Sequence, residues 1–172
     1  DELLNKIWKT AAYTVHLNIQ DYIWDGIKRD RLVWIGDMHP ETSTISAVFG
    51  NCEQVTKSLD LIKSVTPPDE WMNDIPSYTM WWIIIQRDWY RQTGDREYLS
   101  LQLDYLYRAT EHIISCIDDN GDINVENKFV DWSTNEKPEM YAGLLAVTVL
   151  SLEASAEICD MFGNKPLATK CR

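Results

Sequence analysis

Asp25-Gly26-Ile27-Lys28-Arg29-Asp30-Arg31-Leu32-Val33-Trp34-Ile35-Gly36-Asp37 gathers three carboxylates, three cations and one indole into thirteen residues beside an apolar helix. A solvated loop needs neither Trp34 nor the Ile-Gly-Asp that follows it. A pocket for a neutral polar ligand such as a sugar uses both, because carboxylates accept hydroxyl protons and an aromatic face covers C–H surface. A charged loop closed by its own salt bridges would share this composition, so the flanking segments decide how it is read.

Upstream, Leu3, Leu4, Ile7, Trp8, Ala11, Ala12 and Val15 recur at helical spacing and predict an amphipathic helix over 2–17. Downstream, a second helix is expected from about Pro40 to Phe49, with proline in its first turn and Glu41 near the positive end of its dipole, before a break at Gly50-Asn51. Val55, Leu59, Ile62 and Val65 mark a third helix, which Pro67-Pro68 stops. A fourth runs from near Pro76 to Thr93; its stretch from Tyr78 to Tyr90 is apolar on nearly every side for two turns, as suits an inner helix. Asp95 is the expected N-cap of a fifth helix carrying Tyr98, Leu101, Leu103, Leu106, Ile113 and Ile117, ended by the run from Asp118 to Asp122. Residues 119–136 read as an irregular loop and 137–162 as a long helix rich in Ala and Leu; Gly163-Asn164 and Pro166 end it before a further helix.

The pattern is an all-α domain of antiparallel helical hairpins, with short turns on one side and long loops bearing Trp and Asp on the other. Periodicity alone does not separate a bundle, a solenoid and a closed α/α toroid. Hairpins of about 40 residues with unequal loops, and no 34-residue repeat signature, favour the toroid, whose long loops gather at one end around a pocket.

Composition narrows the function. With 172 residues, 45% of them hydrophobic, residues 1–172 suit a single helical domain. A net charge of −11 argues against nucleic acid as a partner, since binding a phosphate backbone rests on clustered Lys and Arg. No run of about 18 uncharged apolar residues is seen, so no membrane span is expected. The chain opens inside what reads as a helix, and periplasmic and cytoplasmic placements both stay open. Cys52, Cys116, Cys159 and Cys171 form no Cys-x-x-Cys and have no His at ligand spacing; they are expected as free thiols, Cys116 and Cys159 acting as small hydrophobes. Neither a metal nor a cofactor is called for.

Other residues carry competing readings. His16 and His112 read as structural or surface histidines. His39, two residues after Asp37 and two before Glu41, either serves in or beside the pocket or is structural, and without more ligands it supports no zinc site. Glu41 is either a carboxylate facing that pocket or a complement to the helix dipole. Trp71 and Asp74 either bind a second sugar or anchor their loop. The Asp118–Asp122 run resembles a calcium loop in composition only, because the twelve-position spacing ending in Glu is absent.

The segment from Asp25 to Asp37 resembles the signature of bacterial α-L-rhamnosidase catalytic domains, a six-hairpin (α/α)6 barrel family whose pattern reads roughly Asp-x-x-x-Arg-x-Glu-Arg-x-x-Trp-x-Gly-Asp. The helix with Trp8 and Thr14, the Trp-rich helix ending in Tyr90-Arg-Gln-Thr-Gly-Asp95, and the Asp131-Trp132 loop look like further landmarks of that family, in order. The resemblance spans essentially all 172 residues, which amount to about the first half of such a barrel. It implies an inverting glycoside hydrolase acting on α-L-rhamnosides or a related deoxy or uronic sugar, in which one carboxylic acid protonates the leaving oxygen and a second carboxylate activates water. Asp30 stands where the family carries its general acid; Asp25, Arg29, Asp37 and Asp131 match groups around the sugar, and Trp34 and Trp132 its aromatic walls. Trp81 or Trp82 matches a further wall. The resemblance implies that the general base lies outside this chain, and that the partners are a carbohydrate substrate, the other half of the barrel and β-sandwich domains of the full-length protein. Asp30 replaces the Glu of the commonest form, and the stretch from Asp25 to Asp30 is one residue shorter. A carbohydrate-binding relic of the same fold and a helical protein-interaction scaffold are the alternative functions.

Overall fold

The structure, a computed structural model, describes residues 1–172. Seven helices follow one another: α1 Glu2–Asn18, α2 Ile35–Val48, α3 Glu53–Val65, α4 Pro76–Thr93, α5 Arg96–Ser115, α6 Glu139–Phe162 and α7 Lys165–Lys170, with a 3-10 turn at Met72–Asp74. The all-α reading holds. Helices α4 and α5 begin where their sequence signals place them, with Pro76 in the first turn and the Asp95 carboxylate accepting from the Tyr98 N–H at 2.8 Å. Gly94 and Gly163 close α4 and α6 in the left-handed conformation, which glycine adopts without strain.

The helices form two layers. α4 packs along both α2 and α6, so these three make the inner layer, with α1, α3 and α5 outside. Eleven of the 18 residues of α4 are buried, consistent with its apolar sequence on nearly every side. Trp82 is fully buried and its indole N–H donates to the Leu59 carbonyl of α3 at 3.2 Å. The turns Phe49–Cys52 and Gly94-Asp95 are short, whereas the loops leading into α2, α4 and α6 are long and lie at one end. Two of those loops open alike, with antiparallel bridges Ile19–Ile23 and Ile117–Ile123 that tuck Ile23 and Ile123 into the core.

Four expectations need correction. α2 starts five residues before Pro40, which therefore lies inside the helix. The start is fixed from a distance: Asn73 Oδ1 accepts from the Ile35 N–H at 3.1 Å while its Nδ2 donates to the Val33 carbonyl at 3.1 Å. Pro40 only removes the donor to Gly36, a loss the helix tolerates this close to its start. The long helix α6 begins at Glu139, after Pro138. It is also long and apolar enough to span a bilayer by length and composition, a longer apolar segment than the sequence reading marked; half of that window is buried against the rest of the fold, as in a core helix. Finally, α1 does not bury its apolar stripe. None of its residues is buried, and Leu3, Leu4, Ile7 and Trp8 are all more than half exposed. On the other edge of the fold, Val149 and Leu150 of α6 are likewise exposed.

All four cysteines are free; Cys159 and Cys171 are buried together beside Ala156, Leu167 and Ala168. Burial pushes the Cys159 thiol up to about 12, so it behaves as the small hydrophobe its position suggested.

Candidate active site

The motif from Asp25 to Asp37 is a loop held at both ends and free at its tip. Ile23 is buried and its N–H donates to Ser58 Oγ at 2.8 Å; Val33 and Ile35 are buried at the other end. Between them Asp25 stitches the stem, its N–H donating to the Leu32 carbonyl at 3.2 Å and its Oδ1 accepting from the Leu32 N–H at 2.9 Å. At the tip the Arg31 N–H folds back to the Arg29 carbonyl at 2.6 Å, and Asp30 and Arg31 both take positive φ, 54° and 53°.

The second wall comes from residues about a hundred positions away. Ser77 Oγ donates to the Phe129 carbonyl at 2.8 Å, and Asn127 Nδ2 donates to the Asp74 carbonyl at 3.3 Å, so the loop before α6 is tied to the start of α4. That brings Phe129 edge-on to Tyr78 and Trp132 edge-on to Phe129, while Tyr78 stands edge-on to Trp34. Gly36 is required here, since any Cβ would collide with the Tyr78 ring.

The result is a cleft of about 740 Å3 lined by Asp25, Arg29, Asp30, Trp34, Asp37, Trp81, Asp131 and Trp132, all eight residues singled out from sequence. Trp81 lines it and Trp82 does not, which separates the two aligned tryptophans. Tyr78, Phe129, Asn127 and His39 also line it. The first three were missed as site residues; Phe129 stands two residues before Asp131, and Tyr78 follows Pro76 at a helix start, but neither position announces which way its ring points. His39 is in the wall, its ring 4.4 Å from that of Trp81 and its Nε2 3.9 Å from Asp88. Burial lowers its pKa despite the pull of Asp88.

The start of α2, the start of α4 and the loop into α6 all border the cleft, so inner-helix N-termini offset part of the repulsion among its carboxylates. That repulsion is still felt. Burial, then Asp25 and Asp131, raise the Asp37 carboxyl above its ordinary value. Burial, then Asp37 and Asp131, push the Tyr78 hydroxyl up to about 12. Glu41, one turn beyond Asp37, is pushed up to about 8 by burial, then by Asp37 and Asp25; its Oε2 is shut from solvent without a hydrogen-bond partner. Asp30, at the rim, is 41% exposed, with the Arg29 Nε 3.7 Å from its Oδ1.

The remaining candidates fall outside. Trp71 stacks on His112, ring centroids 4.2 Å apart, and does not line the cleft, so it anchors its loop. His16 lies between Tyr13 and Phe49 on the outer side. The Asp118 carboxylate is occupied by its own loop, accepting from the Asn120 and Asp122 N–H groups and from Asn124 Nδ2. No cluster of three or more His, Cys, Asp or Glu side chains is arranged to hold a metal ion.

An all-helical hairpin array whose long loops surround an acidic, aromatic-walled cleft suits the binding of a sugar, and the family match makes it a glycoside-hydrolase type of domain. The chain belongs to the bacterial alpha-L-rhamnosidase six-hairpin glycosidase domain family, whose model matches residues 1–169. No curated protein matches the chain.

Proposed function

We propose that this chain forms about half of the barrel of an inverting exo-glycosidase, acting on α-L-rhamnosides or a closely related sugar. The observation that carries the reading is the convergence of Asp25, Asp30, Asp37 and Asp131 with Trp34, Trp81 and Trp132 on one cleft, from loops about a hundred residues apart. Carboxylates of this kind hold sugar hydroxyls, and indole faces cover the ring's C–H surface. In this reading Asp30 is the general acid, and Asp25, Asp37, Asp131 and Arg29 orient the sugar. The general base lies on the other half of the barrel, so the chain by itself is inactive. The half-barrel reading is supported by three hairpins against the six of the family, and by bare apolar faces on α1 and α6 at the two edges of the array.

A carbohydrate-binding relic is the second reading, favoured by one observation. Asp30 sits on an exposed tip beside Arg29, whereas a general acid is usually held protonated by burial or by neighbouring negative charge. An interaction scaffold would present a flat surface at this end, and the cleft is concave.

The test is hydrolysis of aryl glycosides, led by the α-L-rhamnoside, by this chain and by the complete polypeptide that carries it. Turnover by the complete form, cut by orders of magnitude in Asp30→Asn with sugar binding retained, is the expected result. Absence of turnover, with sugar still quenching Trp fluorescence, would establish the relic.

A further inference from the structure

Glu41 has no place in the roles above, yet it is a half-buried carboxyl one helical turn from them. It lies one helical turn beyond Asp37 on α2, so the two side chains share a face. Its Oε2 is closed to solvent and has no partner. Neither Asp37 nor Asp25 donates a proton to it or accepts one from it. An ionised carboxylate in that position would stand unpaired behind two others.

Resting on the sugar-binding reading of the cleft, we propose that Glu41 is a positioning residue: as a neutral carboxylic acid behind Asp37 it leaves Asp37 and Asp25 turned toward sugar hydroxyls. Ionised, it adds a further negative charge behind that wall, beside Asp37 and Asp25, and drives those two carboxylates apart.

The surroundings support a proton on Glu41. The groups acting on it are Asp37 from its own helix and Asp25 from the preceding loop, both negative, and burial works in the same direction. α4 turns Arg87 and Asp88 toward His39, about 200° around α2 from Glu41, and turns Tyr78 toward Asp37. On α3, Lys57 is paired with Glu53 at 2.8 Å. α1 brings His16 against Phe49, at the far end of α2. Arg29, the cation that lines the cleft, is almost fully exposed and leans on Asp30, and the charges that act on Glu41 are those of Asp37 and Asp25.

The experiment has two arms. Affinity of this chain for L-rhamnose is followed by Trp fluorescence from pH 6.5 to 9.5. Wild type is expected to weaken about tenfold across pH 8, the effect of one unit of interaction between neighbouring charges. Glu41→Gln, which cannot ionise, should bind with an affinity level across that range, and Glu41→Ala should bind poorly throughout. The same alkaline loss in Glu41→Gln overturns the proposal.

The second arm needs no sugar. Carboxyl 13C NMR should show Asp37 with a second inflection near pH 8 in wild type, absent from Glu41→Gln. A single inflection in wild type overturns the proposal whatever the sugar assay gives. Failure of L-rhamnose to bind at any pH, with the second inflection present, counts against the sugar reading of the cleft and leaves the charge relation between Glu41 and Asp37 demonstrated.

Discussion

Glu41→Gln should change the stability of the protein in a pH-dependent way whose shape follows from burial. The Glu41 carboxyl stands at about 8 in the fold against an ordinary 4.5. Folding therefore favours the protonated form, and its contribution is fully present below about pH 4.5, shrinks as pH rises through about 8, and is level beyond. The whole span corresponds to about 5 kcal/mol as an upper bound, at 1.36 kcal/mol per unit. Gln has the shape and polarity of the protonated acid and never ionises, so it avoids that loss. Urea unfolding, followed by the Trp fluorescence of both proteins between pH 4 and 9.5, is expected to show the variant gaining on wild type between pH 4.5 and 8. The gain should reach roughly 2 to 5 kcal/mol and then stay constant. Subtracting the two curves cancels every other titrating group that the substitution leaves alone. A difference independent of pH would mean that Glu41 ionises as freely in the fold as in the unfolded chain, and the argument from burial would fail.

Three further outcomes are expected. Ser58→Ala removes the acceptor of the buried Ile23 N–H and should cost about 1 to 3 kcal/mol, with faster hydrogen exchange at the Ile23 amide; unchanged exchange would show that Ser58 does not hold the base of the Asp25–Asp37 loop. Gly36→Ala drives a methyl into the Tyr78 ring and should cost about 1 to 3 kcal/mol in urea unfolding, a penalty that Tyr78→Leu in the same chain partly relieves; strictly additive losses would place the strain elsewhere. His39 should titrate below 6.5 by proton NMR, and stability tied to its neutral form should be lost as pH falls from 6.5 through that lower value; an inflection above 6.5 would mean that Asp88 outweighs burial.

Local signals carried the fold far. Pro76, Gly94, Asp95 and Gly163 act on the helix ends they adjoin, and those ends lie where the sequence puts them. The start of α2 was not legible, because its cap is the side chain of Asn73, 38 residues on. Proline misled for a related reason: Pro40 favours a helix start but tolerates a place just inside one. The exposed stripe of α1 shows the limit of periodicity, which marks the face suited to burial without naming what covers it. In the cleft, residue type and the family pattern pointed to eight lining residues. The ring of Tyr78 was hidden because its direction is set by Gly36, Trp34 and Phe129 together.

On the proposed reading, Asp30 stands where the family pattern carries Glu, and the backbone offers an explanation of that difference. Ile23 and Val33 fix the two stems of the loop in the core, and Asp25 joins the stems through two hydrogen bonds to Leu32. Between stems held that firmly, the short stretch from Asp25 to Leu32 must turn sharply. It does so through consecutive positive φ values at Asp30 and Arg31. Outside glycine, that region is entered most readily by Asn and Asp, whose short side chains relieve part of a cost of about 1 to 2 kcal/mol per residue; Glu has no such relief. On the proposed reading of Asp30 as the general acid, a loop this tight and an acid this short go together. The turn that favours Asp30 also lifts it to the rim of the cleft beside Arg29, while Asp37 remains on the helix wall. In this loop, reach into the cleft is set by the backbone at the tip as much as by the missing methylene.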